Sequence, residues 1–185
     1  MKLKKALGFI LLIAIALVMT YKFMDITPDK NLPQNEQTTK VLTFGQCAAC
    51  HSHSPNLPFY ANWPVIGDVV KEDAALAIRE FDITTVTNGI NNNQPIDEVT
   101  LNKLEYSFQN ETMPPVKYYT VHWGSVINNK EKEIVLNWIE QYRAEHHYNG
   151  LATAEFANEP VQVIPDSIPV DPTKVELGRM LYNDV

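Results

Sequence analysis

The sequence predicts a mainly α-helical domain, with an apolar helix at its N-terminus and an extended tail at its C-terminus. Apolar residues recur at helical spacing over 97–109 and again after Asn128, and no segment alternates apolar and polar residues as a half-buried strand would. The third observation is an unbroken apolar run, Ala6–Met19, behind a lysine-rich start. These patterns divide the chain into 1–24, 25–38, 39–149 and 150–185.

Residues 1–24 are typical of a signal peptide or signal-anchor. Lys2, Lys4 and Lys5 precede the apolar run, and a positive segment before an apolar core directs export. No small-x-small cleavage pattern follows Met19, and Lys22 can extend its amine to a membrane interface. We therefore favour an uncleaved anchor over a cleaved peptide. The remainder would lie on the periplasmic side of the bacterial inner membrane, or free in the periplasm after cleavage.

The charge of the exported part bounds its partners. Four of the 15 Lys and Arg residues lie in 1–24, which leaves 11 basic against 22 acidic residues, or −11, for the remainder. Nucleic acid is excluded as a partner, because its binding needs a basic surface. An acidic domain can steer a basic redox protein, although such charge also serves solubility.

The segments before residue 97 give weaker signals. The polar stretch 25–38 contains two prolines and predicts a tether. Thr39 is expected to cap a helix that runs through Phe44 into Cys47. Later segments are interpreted as an irregular aromatic loop, a weak helix or extended segment, and an Asn-Gly surface loop: 54–64, 69–81 and 88–94.

The segments after residue 97 are clearer. Residues 97–109 place Leu101, Leu104 and Phe108 on one helical face. Asn128 and Glu131 predict a capping box at the start of another helix, whose charged residues 130–133 are expected to be solvated. Its apolar stripe comprises Ile134, Val135, Trp138, Ile139 and Tyr142. Four prolines in 150–185 predict an extended linker.

The segment Cys47–His51 reads Cys-Ala-Ala-Cys-His, the attachment signature of c-type haem. Two sulfurs on one turn can bond the two vinyl groups of a porphyrin, and His51 then offers its imidazole to the iron. A zinc site usually needs four ligands, and the chain has only two cysteines. A redox CxxC of the thioredoxin kind is expected in a βαβ unit, and the sequence predicts no such unit. The motif therefore predicts one haem c, covalent through Cys47 and Cys50.

The second axial ligand decides between electron transfer and catalysis. Met113 alone among the five methionines lies inside 39–149, 62 residues after His51, and Pro114 and Pro115 stiffen its loop. Thioether ligation favours electron transfer, whereas an open position favours catalysis or gas binding. We expect Met113 to ligate the iron; the alternative is a methionine that fills a gap in the core.

The other four histidines are rival ligands. His53 lies two residues from His51 and on the same side of the iron, so it cannot easily reach the far face. His122 is the stronger rival, although a hydrogen-bonded structural histidine is the simpler interpretation. His146 and His147 end the last predicted helix and are expected to be exposed.

Roughly residues 38–145 resemble the small haem-binding domain family of bacterial exported cytochromes. The resemblance rests on five segments: Cys47–Ser52, Pro58–Pro64, Thr112–Pro115, Tyr119–His122 and Glu131–Trp138. In that family the CxxCH histidine and the methionine of the Met-Pro loop ligate the iron, roles that fall on His51 and Met113. The resemblance implies a small cytochrome c-like helical domain wrapped around one covalently bound haem.

Residues 168–184 resemble the opening of the dihaem cytochrome c peroxidases, where a Leu-Gly-Arg helix precedes the first peroxidase haem. That family needs two further CxxCH motifs, which this sequence lacks. The segment 150–185 is thus interpreted as a proline-rich linker and the start of a truncated peroxidase-like module.

Together, the motifs and resemblances imply an exported monohaem c-type cytochrome domain that transfers single electrons, as the electron-entry domain of a multihaem cytochrome c peroxidase. Its partners would be a donor cytochrome or quinol-linked reductase, a C-terminal peroxidase module, and the membrane at its N-terminal helix. One alternative is a haem enzyme that itself reduces peroxide. Another is a gas- or redox-sensing domain in which Met113 is displaced. No catalytic side chain is assigned.

Overall fold

A computed structural model describes residues 2–24, 27–119, 122, 125–167 and 169–183. The helices are α1 Lys2–Met24, α2 Gln34–Phe44, α3 Ile66–Glu80, α4 Ile83–Asn92, α5 Glu98–Gln109, α6 Val116–Tyr119, α7 Asn129–His146 and α8 Pro172–Asn183. Short 3₁₀ helices include Cys47–Ala49, Phe59–Asn62 and Ala154–Phe156. The described residues form no strand, so the mainly α-helical prediction is confirmed.

The core lies where α7 packs against α2 and α5, with α4 closing the other side. The capping box at the start of α7 is confirmed: Asn128 Oδ1 accepts from the backbone N–H groups of Lys130 and Glu131, at 2.9 and 3.0 Å, and its own N–H donates to Glu131 Oε2. The predicted apolar stripe of α7 faces the core. Glu131, by contrast, is buried within this cap, so residues 130–133 are not uniformly solvated.

The helix α5 is also as predicted. Asp97 caps it by accepting from the backbone N–H of Thr100 at 2.9 Å, and Leu101, Leu104 and Phe108 are buried on one face. These three residues belong to the hydrophobic cluster of the domain, which comprises Val41, Leu42, Ile83, Val86, Ile96, Leu101, Leu104, Phe108, Val135, Trp138, Ile139 and Tyr142.

A buried ion cluster joins α5 to α7. The guanidinium of Arg143 contacts Glu98 Oε1 at 2.7 Å and Glu105 Oε2 at 2.8 Å, and its side chain is 2% exposed. Burial alone would lower the pKa of Arg143, but its hydrogen bonds with the two carboxylates outweigh burial and raise it. Arg143 is therefore charged, and its guanidinium contacts both carboxyl groups.

The tether prediction for 25–38 is wrong in part, because α2 begins at Gln34 inside it. Polar side chains in the first turn of α2 bond directly to α7: Gln34 Nε2 donates to the Ile134 carbonyl at 2.7 Å, and Trp138 Nε1 donates to Asn35 Oδ1 at 2.8 Å. Two of the polar residues in this stretch, Gln34 and Asn35, thus contact another helix. Thr39 accordingly lies inside α2 and does not cap it.

The prediction that this helix continues into the cysteine motif is wrong. The helix α2 ends at Phe44, and Gln46 adopts a left-handed conformation with φ of 55°. That conformation ends an α-helix, so the cysteines lie on a separate 3₁₀ turn.

The surface loop predicted over 88–94 is also wrong, because α4 extends to Asn92. The Asn-Gly pair that suggested a turn lies inside this helix. A Cβ at Gly89 would overlap the side chain of Ile96, so glycine permits close packing here and is not used for a turn. The ambiguous segment 69–81 lies almost entirely in α3, which ends at Glu80.

The two ends of the chain differ from the domain between them. The described side chains of α1, from Leu7 to Lys22, are exposed. Within the described part of the chain, no helix combines the length and apolarity required to cross a membrane. The tail was predicted to be extended, but its residues Pro172–Asn183 form α8.

Candidate functional site

The cysteine motif lies on a tight turn that begins at Gln46. The Gln46 carbonyl accepts from Ala49 N–H at 2.9 Å, and the Cys47 carbonyl accepts from His51 N–H at 3.0 Å. A hydroxyl bond from Ser52 to the Ala48 carbonyl at 2.9 Å fixes the end of the turn. The backbone thus places both thiols and the imidazole on one short segment.

His51 is 7% exposed, and its ring is held by Phe81. Nδ1 lies 3.2 Å from the Phe81 carbonyl oxygen, and the two rings contact at 4.6 Å between centroids. A carbonyl oxygen can only accept, so Nδ1 carries the proton and Nε2 keeps its lone pair, as a metal-ligating histidine requires. Burial lowers the pKa of His51, which further favours the neutral ring.

Both cysteines are free and partly buried. Burial raises the pKa of Cys47 to about 12, and it also raises the pKa of Cys50, where the carboxylate of Asp73 adds to the effect. The thiols are therefore protonated at neutral pH, and they are not activated thiolates of the kind that redox CxxC motifs contain. Among the residues that the structure describes, no three His, Cys, Asp or Glu side chains gather in a way that could hold a metal ion.

An aromatic loop borders the motif, where an irregular segment was predicted over 54–64, although Phe59–Asn62 within it forms a short 3₁₀ helix. Phe59 and Trp63 meet edge to face at 5.5 Å between centroids, and they are 74% and 52% exposed. The pKa of Tyr60 is raised by burial first and then by the nearby Cys50, which indicates that the loop lies beside the thiols. A Cβ at Gly67 would overlap the Ala61 carbonyl, so glycine lets α3 begin against this loop.

Met113 lies on the loop between α5 and α6 and is 40% exposed, so it does not fill a gap in the core. Five residues later, Tyr118 returns to the cysteine motif: its hydroxyl donates to Gln46 Oε1 at 3.2 Å. The pKa of Tyr118 is raised to about 12, by burial first and then by the neighbouring Cys50 and Tyr60 groups. The segment that follows Met113 thus contacts the turn that bears the cysteines.

The rival histidines His122 and His53 lie in different environments. His122 stacks on Tyr118 with 3.9 Å between centroids and 9° between planes, and its Nε2 pairs with the Tyr60 hydroxyl. This supports the interpretation of His122 as a hydrogen-bonded structural histidine. His53 is exposed and lies 3.6 Å from Asp82.

At the end of α7, His146 is exposed as expected. His147 is not fully exposed, because its ring lies 2.9 Å from the Ile96 carbonyl oxygen. His146 is the last residue of α7 and His147 caps the helix, whereas the rings beside the cysteine turn belong to other segments.

Sequence reasoning missed two residues of this site. Phe81 holds His51 through its backbone carbonyl, a group that every residue has, so no sequence signal could identify it. Tyr118 could have been found, because it precedes His122 by four residues, a spacing at which two rings can meet across one turn of the chain. Thr120, Val121, Trp123 and Gly124 lie outside the described residues.

The described residues fit a haem. Two thiols, a buried imidazole whose Nδ1 faces a backbone carbonyl, and a thioether on a nearby segment supply the attachment and ligand groups that c-type haem requires. Phe59 and Trp63 on the aromatic loop are in contact and both exposed, so they offer apolar surface that a ligand or partner can cover.

The fold and the site define a helical haem-binding protein of the cytochrome type. Residues 10–141 match the model of the family described as "Haem-binding domain", and the chain belongs to that family. It is similar to cytochrome c peroxidase Ccp of Escherichia coli (strain K12), with 36% identity over 151 residues, which cover 80% of this chain and 32% of that protein. The chain therefore spans about a third of the length of this curated relative. No solved structure matches it.

Proposed function

We propose that this chain binds one haem covalently through Cys47 and Cys50, with His51 and Met113 as axial ligands, and passes single electrons. The proposal rests chiefly on His51, a buried imidazole whose Nδ1 faces the Phe81 carbonyl oxygen at 3.2 Å, directly beside two cysteines that form no disulfide. Family membership supports haem as the group that these residues hold.

In this proposal the bound haem supplies a one-electron couple, and the residues of the chain tune and shield it. The carbonyl of Phe81 fixes the tautomer and orientation of His51. The side chain of Phe81 covers one face of the imidazole and limits water there. The aromatic loop around Trp63 leaves apolar surface exposed, where a redox partner could approach.

The first experiment tests covalent attachment. The full chain, produced in a host with periplasmic cytochrome maturation, should give haem staining that survives denaturing electrophoresis, with one haem per chain. Replacing Cys47 and Cys50 together by Ala should abolish the stain, because no thioether can form. His53→Ala is the matched control and should keep it. Covalent haem in the double cysteine variant would refute the assignment.

A second candidate function has one observation in its favour. The side chain of Met113 is 40% exposed, so the thioether could be displaced by peroxide or a small gas. The chain would then be an enzyme or a sensor. Carbon monoxide separates these cases: an electron-transfer domain should bind it poorly when reduced, whereas an enzyme or sensor should bind it readily.

We place the domain within a longer electron-transfer chain. The relative is named a cytochrome c peroxidase, and the residues similar to this chain cover 32% of it. In our proposal this domain accepts electrons from a donor cytochrome or a quinol-linked reductase and passes them to a peroxidase module. The lysine-rich start and apolar helix α1 support export to the periplasm.

A further inference from the structure

We propose that Tyr118 is a positioning residue: it joins the loop that carries Met113 to the turn that carries the two cysteines, and so sets how firmly the Met113 thioether is held. This inference rests on the proposed function, because it takes Met113 as a ligand. It adds a residue whose role the haem motifs do not indicate.

The chain between Met113 and Tyr118 has little rotational freedom. Pro114 and Pro115 fix two φ angles, and Pro114 is buried. The Pro115 carbonyl accepts from Tyr118 N–H at 2.8 Å, which closes a turn directly after the prolines. Because this segment is stiff, the position of Tyr118 constrains the orientation of the loop that carries Met113.

Tyr118 is held at the start of the cysteine turn. Its hydroxyl donates to Gln46 Oε1 at 3.2 Å. Gln46 is the left-handed residue, φ 55°, whose carbonyl accepts from Ala49 N–H. One hydrogen bond thus links the segment of the proposed sixth ligand to the residue that initiates the turn of the thiols.

The ring of Tyr118 is held on its face as well. It stacks on His122 at 3.9 Å, and His122 Nε2 pairs with the Tyr60 hydroxyl on the aromatic loop. A neighbouring ion pair, Lys117 Nζ to Asp73 Oδ2 at 2.6 Å, also crosses to α3. Both of its side chains are largely exposed, so it contributes little. Tyr118 is half-buried and adds the stacked ring of His122 to its hydrogen bond with Gln46.

The test uses the full holoprotein and imidazole, which competes with a thioether for ferric iron. Tyr118→Phe removes the hydroxyl but keeps the stacked ring. Its apparent imidazole affinity, from an absorbance titration, should rise about fivefold, the effect of one neutral hydrogen bond of about 1 kcal/mol. Tyr106→Phe, which alters an exposed tyrosine on α5, is the control and should bind imidazole as the unmodified protein does.

The partner variant tests whether Tyr118 acts through Gln46. Gln46→Leu should raise imidazole affinity to a similar extent, and combining it with Tyr118→Phe should add little, because both remove one bond. Gln46→Glu keeps an acceptor oxygen and should restore affinity close to the original. If Tyr118→Phe does not hold haem, Gln46→Leu carries the test alone.

The outcomes distinguish this inference from the proposed function. If Met113→Ala raises imidazole affinity strongly but Tyr118→Phe matches Tyr106→Phe, only the positioning role is refuted. A lowered Tm in Tyr118→Phe with unchanged affinity would likewise mean a purely structural role. If Met113→Ala leaves imidazole affinity unchanged, Met113 is not the displaced ligand, and both proposals fail at that residue.

Discussion

His51 and Met113 differ in how firmly the surrounding residues hold them. His51 is buried, with its ring bonded to the Phe81 carbonyl and packed on the Phe81 side chain. Met113 lies on a loop and is partly exposed. If both ligate the iron, the imidazole is the permanent ligand and the thioether is the one that exchanges.

The first prediction follows from this difference. Met113→Ala should remove the long-wavelength charge-transfer band of a thioether–ferric bond, lower the reduction potential, and admit carbon monoxide to the reduced protein. Visible spectra and a redox titration check these changes. Met180→Ala is the matched control, because Met180 lies exposed on α8, and it should change nothing. If His122→Ala and not Met113→Ala yields a high-spin spectrum, His122 is the ligand.

The residues of the site could be predicted only where they are neighbours in the sequence. Cys47, Cys50 and His51 are adjacent, so one motif identifies all three. The orientation of His51 depends on Phe81, thirty residues away, and on a backbone atom. A sequence pattern cannot encode that contact, because it arises only when α3 and α4 pack beside the motif.

Among the helix starts, the capping box at Asn128 was predicted and is present, whereas the cap expected at Thr39 is wrong. Asn128 acts through neighbours two or three residues away, so its cap could be recognised in the sequence. The Asn-Gly pair before residue 90 was misinterpreted, because the role of Gly89 depends on contact with Ile96 across a turn. The cap at Asn128 is set within one turn of the chain, whereas the position of Thr39 inside α2 and the role of Gly89 are set by packing.

The second prediction concerns the cap of α5. The hydroxyl of Thr100 and then the nearby backbone N–H groups hold the pKa of Asp97 below its usual 3.8. A lowered folded-state pKa means that the carboxylate stabilises the fold above pH 3.8 and loses this effect as the pH falls through the lower, folded value. Asp97→Ala should lower the free energy of unfolding by about 1 kcal/mol at neutral pH.

This difference should shrink under acid conditions. Urea denaturation of both proteins in a series from neutral to about pH 3 measures it. Asp97→Asn keeps an acceptor at the cap but cannot titrate, so it should retain most of the stability without the acid dependence. A constant difference between Asp97→Ala and the unmodified protein at every pH would contradict the role of the carboxylate charge.

The third prediction concerns packing between α4 and the segment that follows it. Gly89→Ala should lower the free energy of unfolding by about 1–3 kcal/mol, because the new methyl group overlaps Ile96. Gly178→Ala is the matched control: this helical glycine on α8 has open space around it, and the change should cause no loss. Thermal unfolding followed by circular dichroism compares them. Equal Tm values for the two variants would show that α4 and Ile96 can separate at no cost.

On the scale of the whole molecule, the chain combines a packed helical domain with ends of different character. The core between α2, α4, α5 and α7 is apolar, and the ion cluster around Arg143 lies at its edge. The apolar helix α1 and the helix α8 instead have exposed side chains. The mainly helical class was predictable from periodicity. The boundaries of the tether and tail were not, because Gln34 and Asn35 are polar residues that pack, and α8 follows a proline-rich stretch.

Residues 25–185 carry a formal net charge of −11. This charge produces a long-range electrostatic field that attracts basic proteins. Such steering acts on the rate of encounter and weakens as salt shortens the Debye length to about 8 Å at physiological ionic strength. The site itself adds to this field, because Asp73, Glu80 and Asp82 act on Cys50 and His51. A basic donor protein, as the proposed function requires, would be attracted by this charge.

The fourth prediction tests export and anchoring, which the lysine-rich start and apolar run of residues 1–24 favour. Fractionated cells should retain the holoprotein in the membrane pellet after a high-salt wash, which removes proteins held by charge alone, and release it with detergent. A variant whose first 24 residues are replaced by a cleavable secretory signal is the control and should become soluble in the periplasm. Haem staining follows both fractions. If the unmodified chain is instead soluble and its N-terminus lies beyond Lys22, the segment is a cleaved signal peptide.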